Sequence, residues 1–171
     1  MPLNARVPTG LPSWPSILVD GPEKVGKSCL TYELAADPRI GQTFVLPIGE
    51  RHADEYASLG PYKIIDPDGT WAGFFDQLLE ATSVPMVDGK PNVIIIDTAT
   101  RLWTDLRNWV DRRARNNVEN RRRLSTDPDA TVTRGQNLWN DANERWDAML
   151  DLLNRWPGIP ILVARGDEVT E

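Results

Sequence analysis

The residues with the plainest chemistry are Gly21-Pro22-Glu23-Lys24-Val25-Gly26-Lys27-Ser28. They fit the pattern G-x-x-x-x-G-K-[ST], between an apolar stretch (Ser16 to Asp20) and a helical one (Cys29 to Asp37). Glycines let the backbone wrap a phosphate, so that several N–H groups point inward. The start of the following helix adds partial positive charge. Lys27 is placed to reach the β- and γ-phosphates, and the Ser28 hydroxyl to ligate Mg²⁺. The implied ligands are therefore ATP and Mg²⁺, with the contacts running from Gly21 to Cys29. Cys29 itself reads as small core filling rather than a reactive thiol.

Two carboxylates extend this chemistry. Asp97 ends the run Val93-Ile94-Ile95-Ile96-Asp97. At the C-terminal tip of a parallel strand it can hold the metal through water. The competing reading is an aspartate that caps the next helix. Glu50 lies just past the apolar stretch 43–48. Hydrolysis, unlike binding, needs a carboxylate to orient or deprotonate the attacking water, and Glu50 is the candidate. Its alternative is a solvated loop carboxylate. His52 reads as an exposed loop residue.

These groups need a scaffold. Strands are predicted at Ser16–Asp20, Thr43–Ile48, Tyr62–Asp66, Asn92–Asp97 and Ile159–Ala164. Several are apolar throughout and alternate with helical patterns. That implies an α/β fold with a mostly parallel sheet and helices on both faces. Residues 70–82 present Trp71, Phe74, Phe75, Leu78 and Leu79 on one helical face. Residues 99–115 carry a stripe of Leu102, Leu106, Trp109 and Val110. Thr133 and Gln136 match a capping box, opening a long helix with Trp139, Ala142, Trp146, Met149, Leu150 and Leu153 on one side. Residues 116–132 are polar, contain Asp127-Pro128-Asp129, and read as a mobile loop. Residues 1–15 hold four prolines and read as an extended lead-in to a domain spanning 16–171.

Composition narrows the function classes. The chain of 171 residues is about one domain, and 40% hydrophobic with 26% charged residues suits a globular fold. No apolar run approaches the roughly 20 residues that span a bilayer, so no membrane partner is expected. The N-terminus lacks the pattern of a secretory signal. The single cysteine cannot form an internal disulfide, and a reducing, cytoplasmic compartment fits. The net charge of −6 disfavours nucleic acid only if it is evenly spread. It is not: residues 101–123 carry +5 and the remainder −11. Arg112, Arg113, Arg115, Arg121, Arg122 and Arg123 could clamp the phosphates of single-stranded DNA. The segment could instead be a solvated helix face, or a lid over a nucleotide substrate as in P-loop kinases. Trp103 and Trp109 either stack bases or pack in the core.

In order, GPEKVGKS, Glu50 and NVIIIDTAT resemble the RecA-type recombinase ATPases. The nearest likeness is to phage ATPases of AAA/RecA type linked to recombination and single-strand annealing. The resemblance covers about residues 16–165. It implies a RecA-like P-loop core, with Glu50 at the catalytic glutamate position and Asp97 at the Walker B aspartate, followed by Thr98. It also implies adenine contacts from Asp54 and Tyr56, and a phosphate sensor at Arg165. Single-stranded DNA and further copies of the chain, in a ring or filament, are the implied partners. The family's sheet continues past the strand at 159–164, so the core is expected to lack its last strands here.

Overall fold

The computed structural model describes residues 5–8, 14–49 and 52–166. Five strands form one sheet: β1 (Ile17–Val19), β2 (Thr43–Pro47), β3 (Tyr62–Ile64), β4 (Val93–Asp97) and β5 (Ile159–Val163). The helices are α1 (Lys27–Glu33), α2 (Trp71–Ser83), α3 (Ala99–Arg115), α4 (Val118–Thr126) and α5 (Gln136–Arg155). Short 3-10 turns cover Leu34–Ala36 and His52–Tyr56. The sheet order is β1-β5-β4-β2-β3 and each pairing is parallel. The predicted α/β class is therefore correct.

Alternation along the strands divides the core in two. Phe44, Leu46, Ile94 and Ile96 face α2, α3 and α5, where Phe74, Leu78, Leu102, Met149 and Leu153 meet them. Val45, Val93, Ile95, Ile161 and Val163 face the other way, onto Tyr32 of α1 and Ala53 of the second 3-10 turn. All five residues of β4 are buried, as a strand covered on both faces must be. On α2, Leu79 is 40% exposed although the helical pattern placed it inward, and Ala81 occupies the core face instead. Phe74 is 2% exposed at the centre of the first layer. Phe74→Ala is expected to cost about 3–5 kcal/mol through lost burial and a residual cavity, measured by denaturant unfolding.

Parallel pairing brings the C-terminal tips of all five strands to one edge of the sheet. The register aligns Pro47 with Asp97 and Asp97 with Val163. β5 lies between β1 and β4, so Asp97 sits two strands from the strand that feeds the phosphate loop.

The segment 116–132 is not a loop throughout. α4 occupies most of it, with the Asn117 side chain accepting from Glu119 N–H at 3.0 Å as its N-cap. Periodicity missed this helix because it has no apolar stripe; Val118 is 74% exposed. Its anchor is the buried amide of Asn120, which donates to the carbonyls of Ala114 and Thr133, each at 2.8 Å. The same amide accepts from Thr133 N–H at 3.2 Å. Thr133 is thereby drawn towards α4, and its hydroxyl accepts from Arg123 at 3.1 Å. The expected capping box does not form: the N-cap of α5 is Gly135, with no side-chain cap bond. Asn120→Ala is expected to cost about 1–3 kcal/mol by orphaning these backbone groups. Hydrogen exchange of the amides in 116–134 should accelerate selectively.

Candidate functional site

The phosphate loop leaves β1 and turns into α1 through Gly26, whose φ of 89° is left-handed backbone that a side chain would strain. Lys27 then points back across the loop. Its Nζ donates to the carbonyls of Gly21 at 2.7 Å and Pro22 at 2.5 Å. Beyond the loop lies a cleft of about 340 Å³. Glu23, Lys24, Gly26, Lys27 and Ser28 line it from the loop, and Asp97, Thr98 and Val163 from the strand tips. Arg165 closes one side: its guanidinium donates to Glu23 Oε1 at 2.5 Å, and its backbone N–H to Thr100 Oγ1 at 2.9 Å. Gly21, Pro22, Val25 and Cys29 belong to the loop and its first helical turn but do not line the cleft.

Asp97 is fully buried and its two oxygens are not equivalent. Oδ2 accepts from the Tyr32 hydroxyl at 2.9 Å. Oδ1 has no hydrogen-bond partner among the described residues. A buried carboxylate oxygen left unpaired is costly, and a cation or its water could satisfy it. The capping alternative for Asp97 fails, because Thr98 caps α3 by accepting from Arg101 N–H at 3.2 Å. Among the described residues no cluster of three or more His, Cys, Asp or Glu side chains could hold a metal. Mg²⁺ does not need one, since one or two carboxylates and phosphate oxygens suffice. Lys27, Ser28 and Asp97 line one cleft, a set that suits a magnesium–nucleotide complex.

Glu50 and Arg51 lie outside the described residues. The chain on either side is placed: Ile48 N–H donates to the Asp97 carbonyl at 2.5 Å. Gly49 has φ 72° and lies against the Arg101 side chain. His52, where the chain resumes, lines the cleft with Glu55 and Tyr56. The sequence reading put His52 on an exposed loop; it is instead half-buried, with its ring edge-on to Tyr56 at 5.8 Å. Asp54 is exposed and absent from the cleft lining, where its neighbour Glu55 stands. The i, i+4 spacing of His52 and Tyr56 is the only sequence signal for this pairing. Nothing in the sequence pointed to Tyr32, whose partner is 65 positions away.

The arginines form a separate surface. Arg112, Arg113, Arg115, Arg121, Arg122 and Arg123 are all exposed. The first three occupy the last turn of α3, where the helix end favours cations. Among the described residues, none of the six is in an ion pair, whereas Arg134 bridges to Asp111 and Arg101 to Asp105. Trp109 is half-buried, with Arg145 over its ring at 4.7 Å and Arg113 at 5.5 Å. Trp103 packs edge-on against Trp146 at 5.4 Å. At about 1.5 Å per residue, Arg112 lies about 20 Å along α3 from the cleft.

A family profile described as an AAA domain matches residues 14–171. No curated protein matches the chain. Among solved structures, it is similar to the assembled ATPase EscN, solved with its central stalk EscO, from the type III secretion system of enteropathogenic E. coli. That likeness has a TM-score of 0.55 at 16% identity over 90% of this chain. A prototypical type III secretion ATPase from pathogenic bacteria is similar at TM-score 0.51 and 16% identity over 91% of this chain. The chain spans 38% and 46% of those two chains, and the likeness is one of fold. No described helix is long and apolar enough to cross a membrane.

Proposed function

The chain belongs to the AAA-domain family, and from that premise we propose that it is a Mg²⁺-dependent ATP hydrolase acting on single-stranded DNA in recombination or strand annealing. The observation that carries the ATPase half is the meeting of Lys27, Ser28 and Asp97 in one cleft, with Asp97 Oδ1 buried and unpartnered. Mg²⁺, when bound, would supply neutralisation of the phosphate charge. Lys27 binds the same phosphates from the loop side. Ser28 and Asp97 are the residues that would hold the cation. Tyr56 and His52, which line the cleft, would contact the nucleoside. Arg165, tethered to Glu23, stands where a γ-phosphate could draw it away. Glu50, on the segment between Gly49 and His52, orients and deprotonates the attacking water.

The DNA half rests on charge placement. Six exposed arginines on α3 and α4, in no ion pair among the described residues, form a surface suited to a phosphate backbone. Their distance from the cleft argues against the kinase-lid reading, because a lid must reach the nucleotide it covers. α4 is also a helix anchored by Asn120 rather than a loose flap. Likeness to an assembled ATPase supports self-assembly as the working state. Replacing Arg121, Arg122 and Arg123 together by alanine should weaken single-stranded DNA binding. It should also flatten the salt dependence by about two logarithmic units of slope, if each arginine neutralises one phosphate. Fluorescence anisotropy across a salt series measures both. Equal affinity and slope in parent and variant would remove the DNA role of α4.

A further inference from the structure

The two oxygens of Asp97 have different fates, and Tyr32 is the reason. Tyr32 lies on α1, the helix that begins at Lys27, and it is 0% exposed. Its hydroxyl is the only group among the described residues that bonds the Asp97 side chain, through Oδ2 at 2.9 Å. Its ring has little freedom to swing away. Tyr62 sits 5.0 Å from it and Tyr56 meets it edge-on at 5.5 Å. Tyr62 is itself fixed, its hydroxyl donating to the Ala53 carbonyl at 2.5 Å. The phenol hydroxyl is the donor of this bond and the carboxylate its acceptor.

We propose that Tyr32 is a positioning residue that divides the work of Asp97: it ties down Oδ2 and leaves Oδ1 as the oxygen for the cation's hydration shell. This rests on the reading of Asp97 as the Mg²⁺ carboxylate. A carboxylate held at one oxygen has one defined orientation, and outer partners of metal-holding groups act in this way. The bond also joins α1, which carries Lys27 and Ser28, directly to the tip of β4. The phosphate-binding and cation-binding groups are then set relative to each other by a side-chain contact, across the intervening β5. Through Tyr56, the same ring touches the His52–Tyr56 turn that lines the cleft.

The test separates cation handling from nucleotide binding and from stability. Affinity for a non-hydrolysable ATP analogue is measured calorimetrically in Mg²⁺ and in EDTA, for the parent, Tyr32→Phe and Asp97→Asn, alongside melting temperatures. The parent should bind more tightly with Mg²⁺, and Asp97→Asn should lose that gain. Tyr32→Phe should keep the parent's affinity in EDTA but lose about tenfold or more of the Mg²⁺-dependent gain. Tyr32→Met also lacks the hydroxyl but repacks more freely, and it should behave alike; it serves if Tyr32→Phe does not fold. A tyrosine variant that melts lower yet keeps the parent's full Mg²⁺ gain, while Asp97→Asn loses it, overturns the proposal and leaves Asp97 as the cation ligand. A parent with no Mg²⁺ gain, or an Asp97→Asn variant that retains it, overturns the Asp97 reading and the proposal with it.

Discussion

Lys27→Ala should lower affinity for ATP by about a hundredfold or more, because charge-assisted hydrogen bonds contribute about 1.5–3 kcal/mol each and more than one phosphate contact is lost. The structure shows two reasons for an effect of that size. Lys27 lines the cleft that Asp97 also lines. Its Nζ also bonds the carbonyls of Gly21 and Pro22, so it braces the loop whose N–H groups must converge on phosphate. Alanine removes the cation and the brace together. The fold should survive, since Lys27 belongs to neither core layer. Titration with a fluorescent ATP analogue, paired with a melting curve, checks both halves. A variant that binds like the parent would remove the loop from nucleotide recognition.

Glu50→Gln should bind ATP like the parent and turn it over about 10²–10⁴ times more slowly, the usual contribution of a positioned general base. Glutamine keeps the size and polarity of the side chain but cannot take a proton from water. The prediction depends on where the described chain is placed on both sides of Glu50. Pro47 aligns with Asp97, Ile48 bonds the Asp97 carbonyl, and His52 lines the cleft. The described residues on the two sides of Glu50 thus lie at the Asp97 strand tip and in the cleft lining. Single-turnover hydrolysis with saturating ATP isolates the chemical step from binding. Turnover at the parent rate would assign the carboxylate's task elsewhere, and Glu55, which lines the cleft, would be the next residue to replace.

The parts of this site that were legible in the sequence are those that local chemistry dictates. A phosphate loop needs glycines, a lysine and a hydroxyl in fixed order, so Gly21 to Ser28 declares itself. β4 is apolar on both faces and ends in a carboxylate, so Asp97 could be set at the sheet edge before any fold was known. Other features were hidden for stated physical reasons. α4 has no apolar face and is held by the single amide of Asn120, which no periodicity can reveal. Thr133 matched a capping pattern but is drawn into that same amide, and Gly135 begins α5. Asp97 and Thr98 are adjacent, and only geometry shows that the threonine caps the helix while the aspartate faces the cleft. His52 looked like a solvated loop residue because the 3-10 turn that folds it against Tyr56 has no repeat. The Tyr32–Asp97 bond links residues 65 positions apart, a contact that spacing arguments do not reach.

The most direct test of the central claim is phosphate release from ATP by the parent chain, measured in Mg²⁺, in EDTA, and in Mg²⁺ with single-stranded DNA. The account predicts release that requires Mg²⁺, rises when single-stranded DNA is added, and disappears in Lys27→Ala. ATP bound but never hydrolysed in any of these conditions, or release that persists in EDTA or in Lys27→Ala, would contradict it.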